Sequence, residues 1–281
     1  MAHSDASVAI RGATHIASQP PVINDEGVPS KCLSLTVAGD WGHFRRIDRT
    51  VTKQTYRVPP RTTVAGLLAG IVGVGRDGYY DVFAEESSAI AIEVCSELRT
   101  VAMPSLGLGT NPSETFDDAG GTGQRTVKVR FPDSTDNRQL HGYHYLVNPV
   151  YRIDVAVENP AFYGTLRNRL RNGHSYYSPT LGLSELLASV EWMGEHEPDP
   201  IETDDTVAID SVLPDGVDAI VPTAGTSYSV ERVPGFMTVG SNDRHTTGFI
   251  NYAFVPDGSP LQVAPDEIHP VNVNDRTVVF R

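Results

Sequence analysis

The chain has 281 residues, with 35 acidic side chains against 22 basic ones and a formal charge of −13 at neutral pH. At 40% hydrophobic and 20% charged it can bury a full core, so it is neither a disordered solvating tail nor a membrane protein. No stretch approaches the roughly 18 consecutive apolar residues of a spanning helix, and the average charge argues against a nucleic-acid partner.

Residues 1–30, rich in Ala, Ser, Pro and Asp, predict a flexible leader. They lack the charged-then-apolar pattern of a signal peptide, so a cytoplasmic location is expected. Lys31 to Ala38 alternates apolar and polar positions, the pattern of a half-buried strand. Gly39 to Pro60 predicts a loop ending in Pro59-Pro60. Residues 61–77 follow as a helix, with Thr62 or Thr63 able to cap and Val64, Leu67, Leu68, Ile71 and Val72 at helical spacing. Gly66, Gly70 and Gly73 fall along one side of it, where another backbone could approach closely.

Ser88 to Val101 predicts a second strand. From Met103 to His141 the composition shifts to Gly, Ser, Thr, Asp and Asn around a basic strand-like insert, RTVKVRF at 125–131. A polar strand inside so long an excursion predicts a projecting hairpin. LVNPVYRIDVAV (146–157) is a strong strand, and NPAFYGTLRNRLRNG (159–173) a helix that starts at an Asn-Pro cap and stops at Gly173. Ala188 to Met193 favours a strand, and 201–281 holds short β-type runs between Gly, Pro and Asp turns. The class is α+β. The order is compatible with a ferredoxin-like βαββαβ domain over 31–195, the arrangement of RRM domains, with an inserted thumb-like β-hairpin and an acidic β-rich C-terminal region over 196–281.

Charge is unevenly placed. From His43 to Arg61 six basic residues face one acid, a net +5, and Gln124 to Arg171 carries +4. From Glu195 onward the balance is −11. The two basic segments form an electrostatic footprint for a polyanion if they meet in space; otherwise the arginines serve local ion pairs. Only three of the basic residues are lysine, and an acid-rich, lysine-poor surface points to a halophilic host.

The sequence has no Walker A loop, GxSxG elbow, HExxH or dinucleotide fingerprint, and no cofactor or metal site is expected. Cys32 and Cys95 read as two buried thiols. In the segment 42–61 aromatic residues alternate with cations: Trp41, Phe44 and Tyr56 among Arg45, Arg46, Arg49 and Arg61. Guanidinium forks on phosphates together with aromatic faces under bases are the means of gripping single-stranded RNA. Arg61 also precedes a helix N-terminus, which favours phosphate. In the hairpin insert Lys128 and Arg130 share one strand face. His43, Tyr56 and Lys128 could together supply the groups of a nuclease, though nothing in the sequence forces them together.

GHFRR, followed by TYxVPPRTTVAGLLAGIVGVGRDGYY, resembles the fifth CRISPR-associated (Cas) protein family of the RAMP superfamily. LVNPVYRIDVAV and YYSPTLGLSE extend the resemblance over roughly 31–195, and the arrangement looks most like the type I-B branch carried by haloarchaea. The resemblance implies a ferredoxin-like domain with a thumb at about 103–141, in a Cascade subunit that caps the 5′ handle of the crRNA. It implies RNA contacts from His43, Phe44, Arg45, Arg46, Arg49, Tyr56, Arg61, Lys128 and Arg130, with the large subunit and backbone Cas subunits as protein partners and target DNA met only indirectly. In most branches that subunit is not catalytic. In the type I-C branch it cuts precursor RNA itself, through Tyr, Lys and His, so a metal-independent endoribonuclease is the alternative. This chain departs from that pattern in having no Lys-His pair in the insert. A third reading is a protein-interaction scaffold.

Overall fold

A computed structural model describes residues 19–46, 52–75, 77–108, 117–118, 125–126, 138–239, 244–265 and 268–281. Its centre is a four-stranded antiparallel sheet of β1 (Cys32–Ala38), β2 (Ser88–Val94), β5 (Val150–Val157) and β6 (Ser189–His196), in the spatial order β6-β1-β5-β2. Two helices join these strands, α1 (Arg61–Val72) after β1 and α2 (Pro160–Arg171) after β5. Between β2 and β5 the chain runs out and back through β3 (Arg99–Leu108) and β4 (Arg138–Val147). The molecule is therefore of mixed, strand-rich α+β type.

Both faces of the sheet are covered, so β1, which alternates like a half-buried strand, is buried on both sides, its small polar Ser34 lying on the second face. Leu33, Leu35, Val37, Ile90, Ile92, Tyr151 and Ile153 form one core with the buried stripes of α1 and α2. Cys32, Ala89, Ala91 and Ala156 on the other face meet Val28, Val271, Val273, Val278 and Phe280. The polar members of that second face, Ser34, Glu93 and Asp154, are tied to Arg276, whose guanidinium donates to Asp154 at 2.9 and 3.0 Å and to Glu93 at 2.9 Å. Ser34 donates to the same Asp154 carboxylate.

The helix ends follow local chemistry. The Asn159 side chain accepts from the Phe162 N–H at 3.0 Å and Pro160 fills the first turn of α2. Helix α1 begins at Pro60, whose carbonyl takes the N–H groups of Thr63 and Val64; neither Thr62 nor Thr63 caps it. It stops at Gly73 (φ 90°), several residues before the predicted end.

Two further expectations are corrected, for the leader and for Cys95. Of the leader, residues 1–18 lie outside the described residues, whereas 19–30 fold onto the sheet. Ile23 donates to Glu158 at 3.1 Å, and Val28 is buried because its apolar side chain fills the second core. Cys32 is buried but Cys95, just past the end of β2, is exposed. The C-terminal region is joined to the first core: β7 (Ser229–Val239) and β8 (Arg244–Phe254) form a ribbon that sends Val233, Ile250, Tyr252 and Phe254 into it. Among the described residues no helix is long and apolar enough to cross a membrane.

Candidate nucleic-acid interface

The hairpin excursion has a long stem. β3 and β4 pair from Arg99↔Val147 to Leu108↔Arg138, and ten residues of strand span about 30 Å. Beyond the stem only Asp117↔Thr126 and Asp118↔Arg125 are described as paired, so the places of Lys128 and Arg130 lie outside the described residues, as does that of Arg49. The basic loop is anchored at the foot of the stem: Lys53 donates its N–H to the Gly142 carbonyl at 2.7 Å, and its own carbonyl accepts from His144 at 3.0 Å. The two basic segments thus meet here through their backbones.

Within the loop, Phe44–Arg45 pairs with Thr55–Tyr56, and alternation then sorts the side chains. Phe44 and Tyr56 point inward and are part of the core, with Phe44 against Tyr151 at 5.9 Å between ring centroids. They offer no stacking face to a base, contrary to the sequence expectation. Arg45 is exposed, and Arg46 lies over the Tyr56 ring at 5.4 Å.

Arg61 is the larger correction. It is 1% exposed, and its guanidinium donates to the Ser88 carbonyl (2.9 Å), the Ser88 hydroxyl (2.6 Å) and the Arg281 carbonyl. It sits on the buried stripe of α1 beside Ala65 and Leu68, so no part of it is offered to a phosphate. Arg57 is also engaged internally, with Glu231 at 2.8 Å and over the Phe254 ring at 5.0 Å. Two of the six cations counted in this segment therefore hold the fold together.

His43 is 1% exposed and wedged beside Tyr143 and Tyr145. Its Nδ1 lies 2.8 Å from the His144 carbonyl, which can only accept, so Nδ1 carries the proton and the enclosed Nε2 is a bare lone pair. Burial holds its pKa below the ordinary value of 6.5, opposed by the His144 carbonyl and reinforced by Arg45. Because the folded value lies below the unfolded one, folding carries no protonation cost at His43 above pH 6.5, and stability is lost as pH falls from there through the lowered folded value. Acidification from about pH 7.5 to about pH 5.5 should lower the melting temperature less in His43→Asn, which keeps a donor toward His144 but does not titrate. Equal slopes in the two proteins would count against this protonation state. His43, Tyr56 and Lys128 are not gathered: His43 faces the tyrosines of β4, Tyr56 faces the core, and Lys128 is not described.

Two grooves of about 680 Å³ each flank α1. One runs past Asp77, Asp81, Glu85 and Glu86 and is strongly acidic. The other lies between the Gly66/Gly70 side of α1 and residues 177–183, with Arg45 on its edge, and among the described residues no acidic side chain lines it. Glu185, whose field reaches His43, is outside this lining. The glycine side predicted to admit another backbone thus opens onto a groove. Its far wall is pinned by Gly182 (φ 99°), where an added Cβ would fall 1.9 Å from the His43 carbonyl. Tyr177 lines its end and Tyr176 stands beside it, both exposed; they open the YYSPTLGLSE segment but had no role assigned from sequence, where two adjacent aromatic residues in a turn without hydrophobic period were the available signal. Among the described residues no group of three or more His, Cys, Asp or Glu could hold a metal ion.

No curated protein matches the chain. A solved structure described as a CRISPR RNA-guided surveillance complex aligns with TM-score 0.51 and 16% identity, over 83% of this chain and 90% of that one. A CRISPR protein from Archaeoglobus fulgidus aligns at 0.49 and 14% identity, over 89% and 99%. A chain of the Type III-B Cmr-beta complex bound to cognate target RNA aligns at 0.42 and 13%, over 82% and 86%. At such identities the first of these speaks to the fold. The family model described as CRISPR-associated protein (Cas_Cas5) matches residues 32–248, reaching well past the 31–195 over which the motifs were legible. With more than two thirds of its length matched, the chain belongs to the CRISPR-associated Cas5 family.

Proposed function

We propose that this chain is a non-catalytic crRNA-binding subunit of a type I Cascade surveillance complex, of the I-B branch, and that it caps the 5′ handle in the cytoplasm of a halophilic host. The observation that carries the RNA reading is electrostatic. On a chain of −13, the groove between α1 and residues 177–183 has Arg45 in its lining and no acidic side chain among the described residues there, while the neighbouring groove of equal size, which shares Thr62 and Tyr79 with it, carries four carboxylates. A polyanion is repelled from the second and admitted by the first. The strand order β6-β1-β5-β2 with its two helices supports a ferredoxin-like domain over 31–195, and the β3–β4 stem supports the thumb. Backbone Cas subunits and the large subunit are the protein partners in this reading, with target DNA met indirectly.

Replacing Arg45 with alanine should weaken single-stranded RNA binding by the intact chain about equally for all sequences and reduce the salt slope by about one unit. An unchanged slope would remove Arg45 from the interface. The non-catalytic assignment is tested by incubating the chain with repeat RNA and EDTA: intact RNA is expected, and clean cleavage lost in His43→Ala would overturn it.

A further inference from the structure

We propose that Tyr177, braced by Tyr176, forms a base-stacking subsite at the end of the groove between α1 and residues 177–183, taking one unpaired nucleobase of the bound RNA. The inference rests on the RNA reading above and adds a site that the basic loop does not supply, since Phe44 and Tyr56 are consumed by the core.

Both side chains are largely in solvent, 60% and 55% exposed, yet their backbone is fixed. The Tyr176 N–H donates to the Ile71 carbonyl and the Tyr177 N–H to the Gly70 carbonyl, each at 3.1 Å, so the pair closes the C-terminus of α1. Tyr176 is braced on two sides. Its ring lies across Gly73, where an added Cβ would sit 2.6 Å from Cγ, and the Arg169 guanidinium stands over the same ring at 5.6 Å. Tyr177 meets it edge-on, with centroids 4.8 Å apart and planes at 74°, and also lines the groove.

A large aromatic side chain left in water has forgone its burial energy, and one held rigidly there has already lost the freedom that binding would otherwise remove. The occupant must be flat, to use a phenol face, and anionic alongside, to suit Arg45 on the groove edge and Arg169 behind Tyr176. An unpaired nucleotide meets both demands. Stacking tolerates any base, so this subsite adds affinity for bases without reading their identity.

The test compares binding of the full-length chain to an RNA of about ten nucleotides and to the same ribose-phosphate backbone without bases. The wild type should prefer the base-bearing RNA, and Tyr177→Ala should shrink that preference by about 5- to 100-fold. Tyr177→Phe should keep it and Tyr177→Leu should lose it, while Arg45→Ala should weaken both ligands alike. Equal wild-type affinity for the two ligands, or retention of the preference in Tyr177→Ala or Tyr177→Leu, overturns the stacking subsite and leaves the RNA reading standing. Absence of wild-type binding to either ligand overturns both. A Tyr177→Ala chain that keeps the preference but no longer joins its neighbouring subunits would instead make the pair a protein-docking surface, and the proposal would be wrong.

Discussion

Arg61→Ala should lower folding stability by about 3 kcal/mol, the upper end of the range for removing a charged hydrogen-bonding partner from buried neutral groups. The guanidinium is the sole described donor to the Ser88 hydroxyl and also serves the carbonyls of Ser88 and Arg281. Truncation leaves the Ser88 hydroxyl oxygen without its described donor, whereas the Arg281 carbonyl keeps the Ile90 N–H at 2.9 Å. It also loosens the last residue of the chain, which pairs with Ile90 along the edge of β2. Arg61→Lys keeps the charge but cannot reproduce the fork, so it should recover only part of the loss. For a chain of this size the alanine variant should melt on the order of 10 °C lower. RNA affinity of whatever fraction stays folded should be nearly unchanged. A stable Arg61→Ala protein with lost RNA binding would show that the arginine faces the ligand after all.

Arg276→Ala is expected to be comparably severe, about 3–5 kcal/mol, because it leaves Asp154 charged and 1% exposed beneath the C-terminal strands. The cation bridges Asp154 on β5 and Glu93 on β2, so it fastens the residue 271–280 segment to the back of the sheet. Removing both charges together is a different experiment. Arg276→Met with Asp154→Leu leaves a smaller unmet demand and should recover much of the loss. Denaturant titration of the two single variants and the double variant checks this. Additive losses in the double variant would mean that the pair is not the unit described.

These two arginines also show where sequence reading ran out. A charge count treats every cation as surface, and Arg57, Arg61 and Arg276 differ from Arg45 only in tertiary partners that are distant in sequence: Glu231, Ser88 and Arg281, and Asp154. A local signal did exist for Arg61, which lies four and seven residues before Ala65 and Leu68 on the stripe that α1 buries. Likewise the alternation through Phe44-Arg45 marks the aromatic position as inward and the cation as outward, and Tyr56, paired with Phe44, shares its inward side. Aromatic-cation interleaving read without that period suggested stacking faces that the strand pairing turns toward the core. What depended on local physics was legible: the alternation of β1, the Asn-Pro start of α2, and the existence of a hairpin excursion, though its stem strands (Arg99–Leu108 and Arg138–Val147) were not. What depended on which groove has no described carboxylate was not, because the acids of residues 77–86 and the turn at 177–183 come up beside α1, in neighbouring grooves that share Thr62 and Tyr79, only in three dimensions.

In the proposed function RNA lies in the groove between α1 and residues 177–183, whose described lining holds no acidic side chain. Ultraviolet cross-linking of bound RNA to the intact chain, followed by identification of the modified peptides, tests it most directly. Cross-links should fall in residues 43–46 and 176–183, and the acidic groove along 77–86 should stay unlabelled. Labelling confined to other surfaces, with 43–46 and 176–183 untouched, would contradict it.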